Sequence, residues 1–182
     1  LAMRYDGTKP EGDDGFQFHV GPMYSDARGY VRITAPTVDT KPDILFNYLS
    51  TEQDRREWVE AIKVSRKLLD TPAMKEYTDG EISPGSAVQT DEEILEWVRN
   101  DAETALHPSC TCAMGPESDP MSVVDPSTMQ VHGTDGLYVV DASVMPSIPN
   151  GNIYAPTMMI AEKASDIIAG KTPLAADETP FY

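Results

Sequence analysis

The stretch that decides the fold runs from Gly136 to Gly170 and reads GLYVVDASVMPSIPNGNIYAPTMMIAEKASDIIAG. Leu137 to Val140 form a short apolar run that follows Asp135 and Gly136 and stops at Asp141, the pattern of a buried strand. From Ala155 to Ala169 the pattern is helical. Pro156 suits the first helical position, Ile160, Ala161, Ala164, Ile167 and Ile168 share a face, and Gly170 can end the helix.

Upstream, residues 107–133 contain Pro108, Gly115, Pro116, Pro120, Pro126 and Gly133, which break every period and predict a long constrained loop. Before it a helix starts at Thr90, where Thr90 and Glu93 have the spacing of a capping box, and Ile94, Leu95, Val98 and Ala102 share its apolar face. Residues 78–89 read as loop. An earlier helix is expected after Ser50 or Thr51, with Ser50 and Gln53 at capping-box spacing and a stripe of Trp58, Val59, Ile62 and Leu69 that ends before Pro72. Phe16, Phe18 and Val20 alternate with polar residues, as Tyr30, Arg32 and Thr34 alternate with Val31 and Ile33, which predicts an antiparallel pair joined by a loop. Ile44 to Phe46 add another short strand. The fold class expected is α+β, an antiparallel or mixed sheet with helices packed against it.

Composition narrows the function classes. The 182 residues carry 14 Lys and Arg against 30 Asp and Glu, a net charge of −16, the wrong sign for a reader of nucleic acid. With 40% hydrophobic and 24% charged residues the chain can build a core, and its fifteen prolines predict many turns. No run of about eighteen apolar residues is present, so no transmembrane segment is expected. No secretory signal opens the sequence. A start at Leu1 instead of Met leads to the expectation that the chain is part of a longer polypeptide.

Chemistry-bearing residues gather in one region. His107 is followed by Pro108 at the exit of a helix, which places the imidazole rigidly, as a general acid or base requires. A loop imidazole bonded to a carbonyl is the competing reading. His19 in an alternating stretch and His132 before Gly133 read as structural. Cys110 and Cys112 lack the second ligand pair that makes a zinc site persuasive, so no metal is expected and their reading is tight packing. The methionines at 114, 121, 129, 145, 158 and 159 read as core filler. No glycine-rich loop follows a strand, so a dinucleotide site would have to be completed elsewhere.

Taken together, HPSCTCAMG (His107 to Gly115), GLYVVDASVMP (Gly136 to Pro146), Gly151-Asn152 and APTMMIAEKASDII (Ala155 to Ile168) resemble the carboxy-terminal signature of the glucose-methanol-choline (GMC) oxidoreductases. FQFHVGPM (Phe16 to Met23), ILFNYLS (Ile44 to Ser50) and EISPG (Glu81 to Gly85) extend the likeness over most of the chain, and it is strongest to bacterial members that oxidise choline.

The resemblance implies an FAD-dependent enzyme that oxidises choline to betaine aldehyde by hydride transfer to flavin N5, with a quinone-like electron acceptor and a place in the cytoplasm or at the inner face of the cell membrane. It implies the last part of a substrate-binding domain at 15–105 and the closing segment of the FAD-binding domain at 106–170, while the polar residues 1–14 and 171–182 read by composition as a flexible lead-in and a tail. It assigns catalytic roles to His107, as base or electrostatic stabiliser, and to Asn152, and it lays Asp141, Ala142, Asn152 and Pro156 along the flavin. Two alternatives stay open: another primary alcohol as substrate, or an isolated chain that is a folded, non-catalytic module lacking the FAD pyrophosphate site. The acidity would draw a cationic alcohol only weakly, being screened over about 8 Å.

Overall fold

The computed structural model describes residues 14–172 and 174–180. The lead-in expected at residues 1–14 therefore lies outside them apart from Asp14, and the described residues from 171 onward contain no helix or strand. The chain divides into two compact units, the division falling between Ala105 and Leu106. Among the described residues no helix is long and apolar enough to cross a membrane.

The first unit has a two-stranded antiparallel sheet, β1 (Tyr30–Arg32) and β2 (Asp43–Leu45), with Tyr30 opposite Leu45 and Arg32 opposite Asp43. The sequence predicts that β1 pairs with Phe16–Val20, and here the structure differs. Phe16 to Val20 join no ladder among the described residues, and Phe16 and Phe18 instead meet edge to face with centroids 5.7 Å apart. The reason lies at Gly29. A Cβ there would overlap the Leu45 carbonyl oxygen, so the missing side chain lets the two backbones close. Asn47, in the left-handed region at φ 61°, reinforces the pairing by donating Nδ2–H to the Arg28 carbonyl at 3.0 Å.

Helix α1 (Glu52–Leu69) starts one residue later than the Ser50–Gln53 spacing suggests. Thr51 is its cap. The Thr51 hydroxyl accepts the Asp54 amide at 3.0 Å and donates to the Asp26 carboxylate, which ties the preceding segment to the helix start. Asp54 is buried, and its carboxylate accepts the Leu49 amide at 2.6 Å. Gln53 holds the Tyr24 carbonyl, and the Trp58 ring lies over Gly21. A short helix, α2 (Pro72–Lys75), follows with Pro72 in its first turn.

Helix α3 (Asp91–Asp101) has both halves of the predicted capping box: the Glu93 amide donates to the Thr90 hydroxyl at 3.2 Å, and the Thr90 amide to the Glu93 carboxylate at 2.8 Å. Val59 and Ile62 of α1 pack with Ile94 and Val98 of α3 as the buried core of this unit. Arg66 reaches from α1 with a two-pronged ion pair to Glu81, both bonds 3.0 Å, and so anchors the loop before α3.

Exchange of Ile94 for Ala should destabilise the fold by about 2–5 kcal/mol, and Thr90→Ala by about 1 kcal/mol, both read from chemical denaturation. The amides of Thr90 and Gln89 hold the Glu93 carboxyl below the usual glutamate range. Its contribution is therefore full above the unfolded glutamate pKa and fades as pH falls through the lowered folded value. Glu93→Gln should remove that part of the acid limb of a stability–pH profile.

Candidate active site

The second unit is organised by the irregular segment 107–115, which has a turn at residues 111–112. Alternate amides of that segment, Cys110, Cys112 and Met114, donate to the successive carbonyls of Ala142, Ser143 and Val144 at 3.2, 2.9 and 2.8 Å. The acceptors belong to a single 3-10 turn, Ala142–Val144, which Asp141 caps by accepting the Ser143 amide at 2.8 Å. On the other side of the segment Met114 bridges Val124, Val124 bridges Val131, and Gln130 bridges Tyr138.

This network corrects the strand expected at Leu137–Val140. Backbone pairing there is a bridge at Tyr138 and single bonds at its neighbours, and Leu137 and Tyr138 are 53% and 40% exposed. Several short stretches share the hydrogen bonds that one ladder would use. Val139 and Val140 still face inward, packing on a core of Val124, Met129, Val144 and Ala164.

Helix α4 (Tyr154–Ile168) docks on the same core through Ala164 and Ile160. Ala164 is small enough to let the helix approach closely. Ile168, predicted on the buried face, is 47% exposed, and Gly170 ends the helix region at φ 65°. The methionines also divide: Met129 and Met145 are buried and Met114 packs on the core, whereas Met121, Met158 and Met159 are exposed.

His107 lies at the start of this segment with its side chain exposed. Leu106 at φ 58° and Cys110 at φ 70° bracket it, two non-glycine residues in the left-handed region. Such conformations persist only where the surroundings enforce them, and they collect at functional sites. Both cysteines are free thiols, and Cys112 packs against the core.

Asp141 and Ala142 form the turn that receives the segment, so the structure brings the His107 segment and these two residues together. The Asp141 carboxylate is taken up by the Ser143 amide and hydroxyl. Asn152 is exposed just before α4, after Gly151 at φ 140°, and no hydrogen bond joins it to His107 among the described residues. Pro156 is the third residue of α4 and not the first, because the helix begins at Tyr154.

The start of α4 has no side-chain cap, and no acidic residue lies in its first turn. Its first amides and the positive end of its dipole are left for an acceptor from outside the helix. Beside it, a Cβ placed on Gly151 would meet nothing within 4 Å. Chemically the unit offers an exposed imidazole, an exposed side-chain amide and an uncapped helix start, groups able to accept a proton, donate a hydrogen bond and stabilise negative charge. His132, read from the sequence as structural, has its Nε2 3.1 Å from both the Gly115 carbonyl and the Ser122 hydroxyl. Its partners are remote in sequence, so no local pattern marks them.

A family model described as GMC oxidoreductase matches residues 25–161. An oxygen-dependent choline dehydrogenase of Staphylococcus saprophyticus is 62% identical over all 182 residues, and the chain spans 32% of that relative's length. Among solved structures, pyridoxine 4-oxidase from Mesorbium loti is similar over 82% of this chain and 29% of its own, at 31% identity and a TM-score of 0.74. A fungal aryl-alcohol oxidase is similar over 81% of this chain and 24% of its own, at 37% identity and a TM-score of 0.70.

Enlarging Ala164 to Leu should cost about 1–3 kcal/mol by overpacking the seat of α4, whereas Ile168→Ala, on the exposed side, should cost less than about 0.5 kcal/mol. Thermal unfolding of the two variants tests which face of α4 is buried.

Proposed function

Since this chain belongs to the GMC oxidoreductase family, we propose that the protein of which it forms part oxidises choline to betaine aldehyde with FAD as hydride acceptor. The observation that carries the substrate is the 62% identity, over every residue of the chain, to a relative named for choline. In this reading residues 15–105 are the last part of the substrate-binding domain and 106–170 close the FAD-binding domain. By itself the chain is a folded module without the glycine-rich loop that would grip the FAD pyrophosphate.

The start of α4 fits the flavin ring. It is uncapped, free of acidic side chains in its first turn, and open at Gly151. Bound there, FAD would supply the acceptor for the carbon-bound hydrogen of the alcohol, taken as hydride. His107 accepts the hydroxyl proton as the carbon–hydrogen bond breaks, and Asn152 donates a hydrogen bond to the same oxygen and fixes its orientation. The first amides of α4 and its dipole would stabilise negative charge on a flavin held there. Asp141 and Ala142 hold the turn against which the His107 segment is pinned, and Pro156 removes one amide that would otherwise need a partner.

For the return of electrons, the relative's name favours molecular oxygen over the quinone expected from the sequence. Oxygen consumption with choline, in the absence of added quinone and with hydrogen peroxide as product, supports oxygen. Reoxidation that requires a quinone restores the earlier expectation.

The complete flavoprotein, mixed anaerobically with choline, should lose its oxidised flavin absorbance. His107→Ala should slow that bleaching by about 10²–10⁴-fold. Bleaching by other primary alcohols but not by choline would move the substrate, and an unchanged rate in the His107 variant would remove it from the site.

A further inference from the structure

Residues 16–20, FQFHV, are used neither by the β1–β2 ladder nor by the proposed chemistry. Their conformation is nevertheless that of a strand. Phe16 and Phe18, two apart in sequence, bring their rings edge to face with centroids 5.7 Å apart, as side chains on the same side of an extended backbone do. Both ends of the stretch are seated on the first unit: a Cβ on Gly15 would meet Ile82 Cδ1 at 3.9 Å, and one on Gly21 would meet the Trp58 ring at 3.4 Å. Between these seats no backbone hydrogen bond engages residues 16–20 among the described residues, and all five are exposed.

An extended stretch held in place with a free row of amides and carbonyls is a template for another strand. Proteins that keep such an edge bare blunt it with lysine, proline, an inward charge or a bulge. Residues 16–20 contain no Lys, Arg, Pro, Asp or Glu, and they carry three large apolar side chains on one side. That composition suits a strand inside a sheet, not a bare edge in water.

We propose that residues 16–20 are a strand of the first unit that pairs with a strand from the part of the polypeptide outside these 182 residues, one that is apolar on the side of Phe16, Phe18 and Val20; this rests on the reading of residues 15–105 as the last part of a larger substrate-binding domain. The chain spans 32% of the length of the staphylococcal relative, so most of a polypeptide of that length is available to supply the partner. A strand tethered on the same polypeptide meets the edge at a millimolar effective concentration, far above that of a second molecule. The net charge of −16 also opposes bringing two copies together.

Amide hydrogen exchange of the complete flavoprotein, read residue by residue, tests the pairing. One neighbouring strand engages alternate residues and two engage all of them. Gln17 and His19, or Phe16, Phe18 and Val20, or both sets, should therefore exchange at least about 10²-fold more slowly than in an unstructured peptide. A smaller slowing for both sets overturns the proposal. A crystal structure of the same protein identifies the partner. A strand from outside residues 1–182 is expected, and pairing with a second copy, with another stretch of residues 1–182 or with nothing overturns the proposal. Neither readout depends on turnover, so a flavoprotein that pairs this strand but is not bleached by choline refutes the choline reading alone.

Discussion

Three amides hold the second unit together. A single 3-10 turn leaves most of its carbonyl capacity unused, and the Ala142–Val144 turn, in which only the Ala142 carbonyl takes a local amide, that of Met145, meets that demand by taking the amides of Cys110, Cys112 and Met114. The bonds serve two purposes. They satisfy polar groups beside the buried Val144, and they fix the register of the segment that begins with His107. With the register fixed, Cys112 and Met114 face the core, where α4 seats Ala164, and the start of α4 stands beside Asn152.

The first unit is built on a different economy. Two amphipathic helices bury Val59, Ile62, Ile94 and Val98 against each other, and their ends are closed by Thr51 and by the reciprocal pair Thr90 and Glu93. Hydrophobic burial and local capping suffice there, and the loops are tied on by single side chains such as Arg66 and Asp26. In the second unit, with little regular structure, backbone hydrogen bonds between remote segments supply what helix packing supplies in the first.

Legibility in the sequence follows the same division. The capping box at Thr90 and the apolar stripe after it could be read directly, because caps and helical periods are local. The Ser50–Gln53 spacing pointed one residue early, since only the structure shows that Thr51 is also held by Asp26. The partner of β1 could not be read from alternation, because the choice is made by the close approach at Gly29. Leu137 to Val140 read as a strand from their apolar run, but their hydrogen bonds are shared among several short stretches, which no period encodes. The roles expected of His107 and Asn152 rest on several motifs standing in order, and no local pattern around either residue carries them. The burial of Asp54 and the bond of His132 to the Gly115 carbonyl had no sequence signal, as their partners are set by tertiary contacts or by a left-handed backbone at Leu49.

The central claim is that the second unit assembles one site in which His107 and Asn152 serve the same oxygen at the uncapped start of α4. A crystal structure of the complete flavoprotein with FAD and an unreactive alcohol analogue measures this most directly. The account predicts His107 and Asn152 side-chain nitrogens each within about 2.6–3.2 Å of the analogue oxygen, with the first amides of α4 facing the flavin ring. An analogue oxygen bound away from either residue, or a flavin ring remote from the start of α4, would contradict it.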